Sequence, residues 1–182
     1  KPDEVGIVSV EKGRLPFKSD LKVVRIPAYE KSENVTSMAQ ANTAKYAWLM
    51  GAIQRSKARA VVIDDSQYLM ANELFDRANE KGYDKFTNMA ANFRNLIHFI
   101  NELPEDDKIV YFLHHSELAD DGREKVKTIG RMLDEKLCIE GCFDIVIYCQ
   151  DQKFFTQSNG QSVAKTPEGM FELEIPNDLK AV

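Results

Sequence analysis

Cysteine is scarce in this 182-residue sequence. Cys138, Cys142 and Cys149 form an odd set with no paired C-x-x-C knuckle. That excludes a disulfide framework and a zinc ribbon, and it favours a reducing compartment, the cytosol. The three histidines do not make up the deficit. His98 falls inside an apolar helical pattern and His114 and His115 are sequential, so ordinary packing explains them better than metal ligation. No apolar run approaches the roughly 20 residues of a membrane helix. Basic residues are not in excess either: 24 Lys and Arg face 29 Asp and Glu, for a formal net charge of -5. A uniformly basic nucleic-acid coat is excluded, and any DNA contact must come from a local patch. Internal repeats, low-complexity linkers, a signal peptide and a tag are also missing. What remains, 43% hydrophobic and 29% charged residues, fits one globular domain over residues 1–182. The chain opens at Lys1 without an initiator Met and soon enters an apolar strand, so further residues are expected upstream.

Strands are expected over residues 5–10 and 21–26, the second stopped by Pro27. Helical spacing of Tyr46, Ala47, Leu49, Met50 and Ile53 predicts a helix over 43–57. Residues 60–65, AVVIDD, are apolar without alternation and close on two carboxylates, the pattern of a central parallel strand buried on both faces. Helices are predicted over 68–81 and 84–102, a strand over 108–114, a charged loop over 119–123, and a helical stretch near 129–137. A strand over 143–148 and an antiparallel neighbour over 154–157 precede a loop over 158–168. Strands alternating with helices argue for an α/β fold, a mostly parallel sheet with helices on both faces. Ligands of such sheets gather at the carboxyl ends of the strands. Two of these ends carry Asp64-Asp65 and His114-His115.

Four hydrophobic residues closing on Asp64 form half of a nucleotide-triphosphatase site. There the carboxylate serves the Mg²⁺ between the β- and γ-phosphates, and a second acid, here Asp65, orients or deprotonates the attacking water. Equally, Asp65 or Ser66 could cap the helix that follows.

The block VVIDDSQYLMANELFDRANEKGYDKFTNMAANFRNLI, followed by IVYFLHHSE, GREKVKTIGRMLDEKL, EGCFDIVIY and AKTPEGMFE, resembles the phage-encoded P-loop ATP-binding proteins of the RecA-like, single-strand-annealing-associated (AAA-domain) kind. The likeness runs in order over roughly residues 5–172. It implies a three-layer RecA-like core with a C-terminal antiparallel hairpin, ATP and Mg²⁺ as ligands, and a role beside phage recombination or replication in the host cytosol. One departure is large: the phosphate loop G-x-x-x-x-G-K-[ST] is absent from all 182 residues, and Gly6 and Gly13 have no Lys-Ser/Thr behind them. In this family the loop would precede Lys1. Without it the backbone cradle and the phosphate-contacting lysine are lost.

The resemblance assigns further roles. His115, with His114 as the alternate, would sense the γ-phosphate at the end of the strand beside that of Asp64. Arg123, Lys125, Lys127 and Arg131 would contact single-stranded DNA, although interleaved Glu124, Asp134 and Glu135 also suit a solvated helix face. Lys165, in a Gly- and Pro-flanked loop, would reach a neighbour's γ-phosphate in a homo-oligomer, or is a plain surface lysine. The competing readings are a nucleotide-binding scaffold that does not hydrolyse, and a metal-dependent nuclease recruiting Glu11 and Glu117 beside Asp64 and Asp65.

Overall fold

The computed structural model describes residues 4–11, 18–27, 35–104, 108–129, 131–178 and 182. The chain divides into two compact units, the first formed by Lys1–His114 with Thr128–Met132, the second by His115–Lys127 with Leu133–Val182.

The first unit is built on a four-stranded parallel sheet in the order β2-β1-β3-β4. Its strands are β1 (Val5–Ser9), β2 (Lys22–Arg25), β3 (Ala60–Asp64) and β4 (Ile109–Phe112). Strand β3 lies between β1 and β4, and its Val61, Val62 and Ile63 are buried. Adjacent residues of a strand face opposite sides, so burial of all three means that both faces of β3 are covered.

Helix α1 (Met38–Arg55) starts five residues before the expected position. The missing turn was hidden because a polar residue interrupts the buried stripe: Asn42 lies between Ala41 and the later Tyr46, Leu49 and Ile53, and donates its amide to Met38 O at 3.0 Å. Ser37 is the N-cap, its Oγ accepting from Gln40 N at 3.2 Å, a contact typically worth about 1 kcal/mol. Helix α2 (Tyr68–Asp76) stops before residue 81, where Arg77 turns back onto Glu73 and Glu80. Helix α3 (Asp84–Asn101) buries Met89, Ala90, Phe93, Leu96 and Ile97 and packs against both α1 and α2. His98 is exposed on α3 rather than part of that stripe.

The second unit departs further from expectation. The segment around the charged loop is a hairpin, β5 (Ser116–Leu118) with β6 (Glu124–Val126), in place of a lead into a helix. Helix α4 spans Arg131–Lys136. Residues 143–147 are not a strand. Only Val146 forms an isolated antiparallel bridge, with Lys165, and the regular strand β7 (Tyr148–Gln150) begins later. Strands β7, β8 (Lys153–Phe155) and β9 (Glu174–Pro176) form a three-stranded antiparallel sheet, and β8 takes in residues 154–155 of the antiparallel neighbour expected over 154–157. The whole is thus a mixed α/β chain with a parallel sheet, helices and antiparallel hairpins.

Candidate functional site

Parallel strands bring their carboxyl ends to one edge. Asp64 closes β3 there in register with Ser9 of β1, and Val10 N donates to Asp64 O at 3.3 Å. Ser9 is buried, its hydroxyl donating to Glu11 O, and Glu11 Oε1 accepts from Asn72 Nδ2 of α2 at 2.9 Å. The loop after β1 is therefore tied to the helix that follows the carboxylates.

Asp65 turns the chain with φ 58°. This left-handed region costs most residues about 1–2 kcal/mol, but Asp tolerates it better than most. The turn sends Ser66 inward to full burial against β4: Ser66 N donates to Leu113 O at 2.9 Å, Ser66 Oγ approaches the same oxygen at 3.0 Å, and it lies 2.8 Å from His114 Nδ1. All three contacts are satisfied when the hydroxyl donates to Leu113 O and accepts from Nδ1–H, which leaves Nε2 as the acceptor of a neutral ring. The same bonds survive protonation of the ring. Phe93 lies against this imidazole, centroids 5.9 Å apart. Ser66 is thus no helix cap: Gln67 is the N-cap of α2, without a side-chain cap bond.

Burial pushes the Asp64 carboxyl above the ordinary aspartate range, the charge of Asp65 adds to this, and the Asp65 N–H opposes both. Two oxygen-donor carboxylates in tandem at a strand end are the ligand type of Mg²⁺, which is usually held by one or two carboxylates and substrate phosphates. Among the described residues, no group of three His, Cys, Asp or Glu side chains is placed to hold a metal ion. The three-carboxylate convergence that a nuclease needs is not found there.

The other expected residues belong to the second unit, apart from Arg131, which opens α4. His115 is exposed, and its carbonyl accepts from Lys127 N at 3.0 Å. Arg123 is engaged by Asp121 at 2.7 Å and lowers that carboxyl through side-chain and backbone hydrogen bonds. Lys125 faces Glu117 across the hairpin at 3.5 Å. Arg123, Lys125 and Lys127 thus lie on or beside a β-hairpin, not on a helix face. The backbone of Lys165 is held on Val146 by reciprocal bonds of 2.8 and 2.9 Å.

Sequence reasoning missed Ser9 and the anchoring role of Ser66. Position at a strand end was the only available signal for Ser9. The tandem Asp64-Asp65 drew Ser66 into a capping role that the left-handed Asp65 turn rules out.

No family model, curated protein or solved structure matches this chain.

Proposed function

We propose that the chain is an ATP-binding protein with a RecA-like core that hydrolyses ATP with Mg²⁺ and acts with single-stranded DNA in phage recombination or replication, in the host cytoplasm and as a homo-oligomer. The observation that carries this reading is the tandem Asp64-Asp65 at the carboxyl edge of an interior parallel strand, with Ser9 beside it and His114 held by Ser66. Asp64 is the residue to hold the metal. When bound, Mg²⁺ supplies neutralisation of charge on the β- and γ-phosphates. Asp65 takes a proton from, or orients, the attacking water, a role that contributes about 10²–10⁴-fold. Among the two histidines, the Ser66 contact favours His114 as the group that responds to the state of this edge. No helix among the described residues is long and apolar enough to cross a membrane.

A second reading is a nucleotide-binding or scaffold module that does not hydrolyse. The sequence fact in its favour is the lack of G-x-x-x-x-G-K-[ST]. ATP binding by filter retention and Mg²⁺-dependent phosphate release separate the two. Turnover that Asp64→Asn abolishes, and that Asp65→Asn lowers by about 10²-fold with binding retained, supports hydrolysis. Binding without turnover selects the scaffold. Turnover of Asp64→Asn within about threefold of wild type would sink the assignment of Asp64.

A further inference from the structure

At the opposite edge of the parallel sheet, residues 54–59 and Lys108 line a cavity of about 410 Å³. Four of these seven lining residues are cations, Arg55, Lys57, Arg59 and Lys108, and none is a carboxylate. This density is notable in a chain whose net charge is -5. The cations occupy a shaped loop. Lys108 Nζ donates to Ser56 O at 2.9 Å and Ile53 O at 3.3 Å, closing the carbonyl end of α1, and Ala58 N donates to Ser56 Oγ at 3.2 Å. Ala58 is buried, while Lys57 and Arg59 on either side are exposed. Arg55 lies back along α1 over Gly51, where an added Cβ would come within 2.8 Å of its Nη1.

The cations of the β5–β6 hairpin provide the contrast. Arg123 is bound by Asp121 and Lys125 by Glu117. Arg55, Lys57 and Arg59 have no ion-pair partner among the described residues. A phosphate that approaches the hairpin competes with these carboxylates, whereas among the described residues no ion pair opposes it at Arg55, Lys57 or Arg59.

We infer that the 54–59 loop is a phosphate-contacting surface that takes successive phosphates of a nucleic-acid strand. A small anion would need donors converging on one point. Cations following one another along a loop suit a row of phosphates instead. The choice of a single strand rests on the function proposed above. The site itself rests only on the loop.

The test is fluorescence anisotropy of labelled oligothymidine without ATP, titrated with salt between about 50 and 200 mM. Arg55→Gln/Lys57→Gln/Arg59→Gln should weaken binding and make the slope of log K against log salt shallower by about 2, three contacts at about 0.7 each. Charge reversal at the exposed Lys57 alone, Lys57→Glu, should act in the same direction, and Arg123→Gln/Lys125→Gln should leave the slope unchanged. ATP at matched ionic strength should not displace the oligonucleotide. Three outcomes would each overturn the inference: an unchanged slope in the triple variant, loss confined to the hairpin variant, or displacement by ATP as effective as by unlabelled oligothymidine. A wild-type protein that binds no oligonucleotide overturns it as well, whatever its ATP turnover. Loss of the ATPase reading through Asp64→Asn leaves the binding result standing.

Discussion

Replacing Arg77 by methionine strands a carboxylate inside the helical layer of the first unit. Glu73 is 0% exposed and Arg77 2%, with Arg77 Nη1 donating to Glu73 Oε1 at 2.8 Å. Asn92 Nδ2 reaches both Glu73 oxygens at 3.2 Å, and Arg77 Nε also holds Glu80 at 2.8 Å. Burial still wins over these partners: it pushes the Glu73 carboxyl above the usual 4.5, against the lowering effects of Asn92, Arg77 and Lys45. Removing one partner of such a pair costs about 3–5 kcal/mol, a large share of the roughly 5–15 kcal/mol that holds a typical domain together. Urea unfolding of Arg77→Met followed by circular dichroism measures this loss. The double variant Glu73→Leu/Arg77→Met should regain most of it, because an apolar pair of similar volume strands no charge.

The loss should also depend on pH. A raised carboxyl binds a proton in the folded chain where the unfolded chain has released it, so its contribution is fully present below 4.5 and is lost as pH rises through the folded value. Without Arg77 the folded value moves higher, so the deficit of Arg77→Met relative to wild type should grow from mildly acidic to neutral pH. A deficit under about 1 kcal/mol at neutral pH would refute the buried pair. A double variant as unstable as the single one would assign the loss to the packing of the Arg77 stem.

Two further outcomes are expected. Tyr46 is 3% exposed and its hydroxyl has no hydrogen-bond partner among the described residues, so Tyr46→Phe should raise stability by about 1 kcal/mol in urea unfolding, and a loss of that size would mean the hydroxyl is satisfied. Ser66→Ala should cost about 1–2 kcal/mol and shift the ¹⁵N signals of His114 away from the Nδ1–H tautomer, and unchanged ring signals would show that Ser66 does not set it.

The elements legible in the sequence were those whose apolar pattern is unbroken. Strand β3 and helix α3 carry the core with few polar residues on the buried side, and periodicity located them closely. The start of α1 was hidden because Asn42 occupies a core position and satisfies itself on Met38 O. Three-residue strands such as β5, β6 and β9 are too short to show a period, so register and turn contacts define them. The segment 143–147 misled in the other direction: an apolar run fits a buried strand or any other buried segment. At the candidate site, Asp64 and Asp65 were visible because acids at the end of an apolar strand stand out. Ser66 and the 54–59 loop became visible only through a left-handed residue and a missing set of ion-pair partners, which one-dimensional patterns do not encode.

The polarity of the backbone decides which side chains reach each edge of this sheet. Strands β1, β3 and β4 run in one direction, so Ser9, Asp64 and the segment leading to His114 share the carboxyl edge, while residues 54–59 and Lys108 enter β3 and β4 at the other. Helix α1 ends at that second edge with Arg55 in its last turn and Lys108 on its terminal carbonyls, where the helix dipole favours positive charge. Helix α2 begins just beyond Asp64-Asp65, so the positive end of its dipole favours negative charge at the first edge. Strand β3 spans five residues between them, about 17 Å at about 3.3 Å per residue, roughly twice the screening length of about 8–10 Å at physiological salt. Charge changes at the two edges should therefore act additively. Asp64→Asn should remove turnover without altering the salt slope, and the loop variants should flatten the slope without touching the carboxylates.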